Sequence, residues 1–240
     1  MALSPYGNKN LVVYLLNSYI NFYLTLLIEK IRRVWENEDI RSSKMKTYLF
    51  IDGTNLYASQ YELFGPNYYL YFPSFIKEVE NKIKVKFDKI YFYASYSPQP
   101  QKLTKKEKLY LKNEALFYRS VKSIKNLTFF TGYRSKTSGK EKEVDVKLAV
   151  DIVEKAAKNE YKNLFLLSGD ADFMEALFSA RRFNKKCTVI CMENKIMYKA
   201  IIFFETRIIK ITNKKLEFNK RFKKPNYLNL DYKNLLRKVD

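Results

Sequence analysis

Between residues 47 and 211, short apolar runs alternate with longer segments in which apolar residues recur every three or four positions. Runs of the first kind predict buried β-strands, and segments of the second kind predict amphipathic helices. The predicted strands are Tyr48–Asp52, Lys89–Ser95, Leu127–Thr131, Asn163–Leu167 and Cys187–Cys191, with Ile208–Ile211 as a candidate sixth. The predicted helices are Phe72–Val85, Leu103–Val121, Val144–Ala157 and Asp172–Arg182.

This alternation of strands and helices predicts a Rossmann-like α/β fold. In such a three-layer α/β/α sandwich, a mainly parallel central sheet is covered by helices on both faces. Ligands of parallel sheets bind beyond the carboxyl ends of the strands. Asp52 and Asp170 each follow a predicted strand, so the pattern places both side chains at that edge.

The helix Val144–Ala157 adds a third acidic residue, Asp145. On a wheel of 100° per residue, the apolar residues of this helix lie within about 80° of Asp145. They are Leu148, Ala149, Ile152, Val153 and Ala156. Asp145 is therefore predicted to continue the core-facing stripe toward the edge where Asp52 and Asp170 emerge. Asp151 lies about 240° around the wheel, so we expect it at the surface or behind the site.

The charge and the absence of histidine narrow the chemistry. The chain of 240 residues has 45 Lys and Arg against 25 Asp and Glu, a formal net charge of +20. Such an excess attracts polyanions, of which nucleic acid and anionic membrane are the obvious ones. With no histidine, Ser-His and Cys-His catalysis and His-ligated zinc are excluded. The two cysteines have no further zinc ligands nearby, and a buried strand in a reducing cytoplasm explains them better.

Hydrolysis in this chain would have to depend on carboxylates. We predict that Asp52, Asp145, Asp170 and Asp172 form one acidic site. Several carboxylates in a low-dielectric cleft repel one another, and a divalent cation offsets that repulsion. Because all the available ligands are hard oxygens, Mg²⁺ or Mn²⁺ is the expected ion. Such an ion can polarise a phosphoryl oxygen and lower the pKa of a bound water.

The two ends of the chain carry different patterns. Residues 1–44 are predicted as an N-terminal apolar helix and a basic linker, because Leu11–Ile28 is uncharged and cations follow it. Three interpretations remain open: a helix in or on an anionic membrane, a helix packed on the domain or a partner, or natural translation from Met45. Residues 213–240 are interpreted as a basic tail, either solvated or in contact with nucleic acid or anionic lipid.

Three segments together resemble the NYN domain, a branch of the PIN-like nuclease superfamily. Residues 50–56, FIDGTNL, look like the opening strand of that family with its D-G-x-N turn. Residues 142–151, KEVDVKLAVD, are similar to its K-x-V-D-x-x-L-x-x-D helix. Residues 167–173, LSGDADF, look like its S-G-D-x-D-F strand end. The resemblance covers a domain of residues 45–212.

This resemblance implies a PIN-like fold and a metal-dependent ribonuclease acting on single-stranded or structured RNA. It carries over the catalytic and metal-binding acids Asp52, Asp145, Asp170 and Asp172. It also makes Asn55 and Ser168 polar supports of the acidic pocket, and it puts Lys142 near the scissile phosphate or the carboxylates. The alternative is a non-catalytic RNA-binding or membrane-tethered regulatory module of the same fold.

Candidate RNA contacts lie on the basic helix Leu103–Val121 and on the basic loop that precedes Asp145. They are Lys105, Lys106, Lys112, Arg119 and Arg134. Basic side chains neutralise phosphates, and exposed aromatics can stack on unpaired bases. The aromatics on the helix are Tyr110, Phe117 and Tyr118. They are either such stacking residues or part of the core beneath a solvated basic face.

Overall fold

A computed structural model describes residues 24–30, 46–99, 102–134, 141–192, 204–210, 226–231 and 234–239. The chain divides into two compact units, Met1–Met45 and Lys46–Asp240. In the first unit, residues 24–30 are helical and exposed, and residues 11–23 of the predicted apolar run lie outside the described residues. Within the described part of the chain, no helix is both long enough and apolar enough to cross a membrane.

The second unit has the expected alternation of strands and helices. Its strands are β1 (Thr47–Asp52), β2 (Tyr68–Leu70), β3 (Lys89–Ala94), β4 (Leu127–Thr131), β5 (Tyr133–Arg134), β6 (Glu141–Lys142), β7 (Asn163–Leu167), β8 (Lys186–Met192), β9 (Glu205–Lys210), β10 (Asn226–Asn229) and β11 (Leu236–Lys238). Its helices are α1 (Gly53–Phe64), α2 (Phe72–Ile83), α3 (Lys105–Lys122), α4 (Val144–Ala157) and α5 (Met174–Arg182).

Seven of the strands form one parallel sheet in the order β10-β9-β8-β7-β1-β3-β4. From β1 the chain builds β3 and β4 on one side, and it then returns to place β7 on the other side of β1. The order of strands therefore reverses between β1 and β7. In doubly wound sheets this reversal opens a crevice beyond the carboxyl ends of the two strands.

Alternate residues of each strand enter two separate cores. Leu49 and Ile51 of β1 pack in the core that contains α1, α2 and α3. Tyr48 and Phe50 pack in the core that contains α4 and α5. The period-2 alternation of strand side chains explains this division. The predicted three-layer α/β/α sandwich with a mainly parallel sheet is confirmed.

The predicted C-terminal tail is wrong for the described residues after 225. Strand β10 adds to the edge of the sheet beside β9, and β11 pairs antiparallel with β2. Leu228, Leu230 and Leu235 are buried in the core on the α1–α3 side. The many lysines before Pro225 are typical of a solvated tail, so the short apolar pattern after them does not stand out in the sequence. The burial of these leucines depends on strand edges that the rest of the fold creates. Residues 211–225 lie outside the described residues.

Gly53 sets the distance between α1 and the sheet. A Cβ atom at Gly53 would come within 2.1 Å of the Phe92 ring on β3. The Phe92 ring cannot easily move, because Phe72, Phe117 and Tyr118 pack around it. Only glycine lets α1 begin directly after Asp52 at this close approach.

We predict that Gly53→Ala destabilises the domain by about 1–3 kcal/mol, the usual cost of forcing an extra carbon into a packed core. Urea unfolding followed by circular dichroism measures the loss. In a Phe92→Leu background, Gly53→Ala should cost less stability than in the wild type, because the ring that would clash with the added carbon is absent. Equal losses in both backgrounds would contradict the packing explanation.

Candidate active site

Asp52 is a buried carboxylate at the carboxyl end of β1. It is 5% exposed, and it caps the amino end of α1. The backbone N–H of Asn55 donates to Oδ1 of Asp52 at 3.0 Å. The hydroxyl of Ser168 donates to Oδ2 of Asp52 at 2.9 Å. Both oxygens of this carboxylate therefore have fixed donors.

Asn55 and Ser168 connect the ends of β1 and β7. The Ser168 oxygen that donates to Asp52 also accepts from the backbone N–H of Asp170 at 3.0 Å. The side-chain oxygen of Asn55 accepts from the backbone N–H of Gly169 at 3.3 Å. These bonds hold Asp52 and Asp170 on neighbouring strands at the point where the strand order reverses. The supporting roles of Asn55 and Ser168 in a reaction stay predictions.

Three carboxyl groups interact electrostatically at this edge. Burial is the main reason that the pKa of Asp52 rises from 3.8 to about 7. The hydrogen bonds from Asn55 and Ser168 oppose this rise, whereas the charges of Asp145 and Asp170 increase it. The fold thus brings Asp145 and Asp170 close enough to Asp52 to disfavour its ionisation.

Asp172 is more exposed than Asp52 and Asp170. Asp170 is half-buried and Asp172 is exposed. The backbone N–H of Asp172 donates to Oδ1 of Asp170 at 2.9 Å, so this turn orients the Asp170 carboxylate. Helix α5 begins at Met174, two residues after the predicted start at Asp172.

Helix α4 is rotated relative to its predicted orientation. Its buried residues are Val144, Leu148, Asp151, Ile152 and Ala156. The centre of this set lies about 70° from the centre of the apolar set used for prediction. Asp145 is exposed, although the wheel placed it in line with the core. Ile152 and Ala156 lie on either side of its direction on the wheel and are buried, so the position of Asp145 in the first turn, and not the rotation, leaves it exposed.

Of the two positions expected for Asp151, the surface is wrong, since Asp151 is only 7% exposed, and a position behind the site stays a prediction. The hydroxyl of Tyr93 on β3 donates to Oδ2 of Asp151 at 2.7 Å, and Nζ of Lys147 donates to Oδ1 at 2.5 Å. A helical wheel predicts burial from the apolar residues of one helix. It therefore cannot predict the burial of an acid such as Asp151, whose partner is a hydroxyl group on another element. The Tyr93 contact fastens α4 to β3 between one and two turns after Asp145.

The predicted RNA contacts separate into exposed cations and buried aromatics. Lys105, Lys106, Lys112 and Arg119 are exposed on α3. Phe117 and Tyr118 are fully buried in the core, so neither can stack on a base. Tyr110 is half-buried, and its carbonyl accepts from the Tyr57 hydroxyl. The side chains of Arg134 and Lys142 lie outside the described residues.

The donor chemistry of the site suits a hard divalent cation. Asp52, Asp145 and Asp170 offer only oxygen ligands, and a cation would offset the repulsion that raises the pKa of Asp52. Among the residues that the structure describes, however, no three acidic or cysteine side chains converge closely enough to hold a metal ion. The residue types fit a metal, and the assignment of particular ligands stays a prediction.

The family profile of the NYN domain matches residues 46–212. The chain therefore belongs to the NYN domain family, whose members are PIN-like nuclease domains. One similar solved structure is a protein of unknown function from Vibrio parahaemolyticus, with 20% identity and a TM-score of 0.49. The similarity covers 71% of this chain and 94% of that one. No curated protein matches the chain.

We predict that Asp52 makes the stability of the domain depend on pH. Because the pKa of Asp52 in the folded state is about 7, above its usual value of 3.8, the folded state holds more protons between these values. The free energy of unfolding should therefore fall as pH rises from 4 to 7, by at most about 4 kcal/mol for this group. Because Asn does not ionise, the free energy of unfolding of Asp52→Asn should not show this decrease. The variant should therefore become more stable relative to the wild type as the pH approaches 8.

Urea unfolding of both proteins at several pH values in EDTA measures this difference. Asp172→Asn serves as the matched control, because Asp172 is exposed. A stability difference between Asp52→Asn and the wild type that is the same at low and high pH would contradict the prediction.

We also predict that Asp151→Ala destabilises the domain by about 2–3 kcal/mol, since it leaves the buried Tyr93 hydroxyl without its acceptor. In a Tyr93→Phe background, Asp151→Ala should destabilise the domain much less, because no buried hydroxyl group loses its acceptor. A double-mutant cycle measures this difference. Glu154→Ala is the control on the same helix, where an exposed ion pair with Lys158 is lost. Equal effects of the two alanine variants would refute the role of the buried contact.

Proposed function

We propose that this NYN domain is a metal-dependent ribonuclease that hydrolyses RNA phosphodiester bonds beyond the ends of β1 and β7. The observation that carries the proposal is the buried Asp52 carboxylate at the end of β1, which Ser168 joins to Asp170 at the end of β7. A buried carboxyl group is costly for a fold to retain, and the nearby charges of Asp145 and Asp170 add to the burial that raises the pKa of Asp52. Such groups cluster at functional sites, where a cation or a reaction makes use of them.

Asp52, Asp145 and Asp170 are the proposed ligands of Mg²⁺ or Mn²⁺, and Asp172 is the fourth candidate. When bound, the ion would polarise the phosphoryl oxygen and supply a water of lowered pKa. Ser168 and the Asn55 backbone orient the Asp52 carboxylate toward one geometry. Lys142 is proposed to lie near the scissile phosphate.

RNA is the proposed substrate because the cations of the whole chain greatly exceed its acids. The formal net charge is +20, and the α3 cations Lys105, Lys106, Lys112 and Arg119 are all exposed. Helix α3 follows β3, so its first turn, with Lys105 and Lys106, starts from the carboxyl edge of the sheet. Arg134, on the way to α4, is proposed to join them. The proposed compartment is the cytoplasm, and contact of residues 11–28 with anionic membrane stays a prediction.

One observation favours a second, non-catalytic function. Within the described ranges, no three acidic or cysteine side chains converge as a metal site requires. A domain whose carboxylates never bind a cation would be a non-catalytic RNA-binding or membrane-tethered regulatory module. The two functions differ in whether a divalent ion binds at Asp52 and Asp170.

We predict that Asp170→Asn reduces RNA cleavage by at least about a hundredfold, because it removes a ligand charge from the reacting centre. RNA affinity should stay within about twofold, since the variant does not reduce the number of cations. Cleavage of labelled hairpin and single-stranded RNA with Mn²⁺, and anisotropy in EDTA, measure the two effects.

The wild type should also gain thermal stability on titration with Mn²⁺, and Asp52→Asn should not. Asp231→Asn, on the C-terminal segment, is the control that should respond to Mn²⁺ as the wild type does. RNA binding without cleavage, together with no specific stabilisation by Mn²⁺, would establish the non-catalytic alternative instead.

A further inference from the structure

Tyr96 is an exposed aromatic residue on the loop that follows β3. Phe92, Phe117 and Tyr118 in the core of this face are fully buried, whereas Tyr96 keeps 41% of its surface exposed. Tyr96 lies two residues after the carboxyl end of its strand. An exposed ring at this edge of the sheet has the chemistry to stack on an unpaired base.

Contacts from α3 hold the Tyr96 ring in one orientation. Nζ of Lys122 donates to the Tyr96 hydroxyl at 3.0 Å. The ring meets that of Tyr118 edge to face, with 5.2 Å between centroids and 86° between planes. The next residue, Ser97, donates its backbone N–H and its hydroxyl to the buried carboxylate of Glu114 at 3.1 and 2.7 Å. A ring that is already ordered loses little entropy when a base stacks on it.

Lys122 supplies positive charge beside this ring without covering a face of it. Its ammonium lies 3.0 Å from the Tyr96 hydroxyl and 5.3 Å from the ring centroid, which places it beyond the hydroxyl end. Arg119 is exposed about one turn before Lys122 on the same helix. Cations next to an exposed aromatic provide the pairing of phosphate neutralisation and base stacking that single-stranded nucleic acid requires.

The sheet register relates this ring to the candidate active site. Tyr93 of β3 pairs with Asp52 of β1, one strand spacing of about 5 Å away. Tyr96 follows Tyr93 by three residues, which span at most about 11 Å. At the roughly 3.4 Å spacing of stacked nucleotides, these distances correspond to a few nucleotides.

We propose that Tyr96 stacks on an unpaired base of single-stranded RNA, a few nucleotides from the phosphate that lies at Asp52. Lys122 and Arg119 neutralise the phosphates on either side of that base. The inference rests on the proposed function, and it identifies single-stranded rather than duplex RNA as the ligand of this part of the surface.

The test measures binding of a fluorescein-labelled oligoadenylate to the full chain by anisotropy in EDTA. All variants carry Asp170→Asn, so that the RNA stays intact. We expect Tyr96→Ala to weaken binding by roughly 5- to 150-fold, the range for loss of one base–aromatic stack. Tyr96→Phe, which keeps the ring, should bind within about twofold of the parent.

Phe183→Ala is the matched control, because Phe183 is 44% exposed and follows α5 at the opposite edge of the sheet. It should leave binding unchanged. If Tyr96→Ala does not fold, Tyr96→Leu makes the same comparison, since leucine keeps an apolar contact with Tyr118. Replacing one nucleotide at a time by an abasic residue should find a position at which Tyr96→Ala has no further effect.

The outcomes separate the stacking proposal from the proposed function. If the parent variant binds RNA but Tyr96→Ala binds equally tightly, stacking is refuted while RNA binding stands. An equal loss of affinity for duplex and single-stranded RNA also refutes stacking, because paired bases cannot reach the ring. If the parent variant binds no RNA, both proposals fail. A loss restricted to single strands, restored in Tyr96→Phe, supports the stacking site.

Discussion

The domain depends most on the buried carboxylate of Asp52 and the donors that hold it. Asp52 ends β1, caps α1 and accepts the hydroxyl of Ser168 from the end of β7. One side chain therefore joins the central strand, the first helix and the neighbouring strand across the reversal of the sheet. Because burial of a carboxylate is costly without partners, these bonds determine the local geometry of the whole edge.

The burial of Asp52 also determines the electrostatics of the site. Asp145 and Asp170 add their charges to an environment that already disfavours ionisation of Asp52. The fold tolerates this repulsion because Asp145 is exposed to solvent and Asp170 is half-buried. A divalent cation would turn the repulsion into a favourable interaction, which connects the stability of the domain to its proposed ligand.

Packing on the two faces of the sheet leaves different surfaces near this edge. On the α1–α3 face, a layer of aromatic rings surrounds Phe92 and requires glycine at position 53. Tyr96 extends that layer to the solvent, where α3 also presents its cations. On the other face, Asp151 and Tyr93 fasten α4 to β3 and so position the first turn that carries Asp145. The proposed site thus combines an acidic centre with the exposed ring of Tyr96 and the cations of α3.

The sequence alone determined the layer architecture, the order of the main elements, and the positions of Asp52 and Asp170, since strand and helix periodicities are local properties of the chain. Only the tertiary structure decided the orientation of α4, the burial of Asp151, and the incorporation of β10 and β11. Each of these depends on a partner distant in sequence: Tyr93 for Asp151, β9 for β10 and β2 for β11. A pattern of neighbouring residues carries no information about such partners, because they are brought together only when the chain folds.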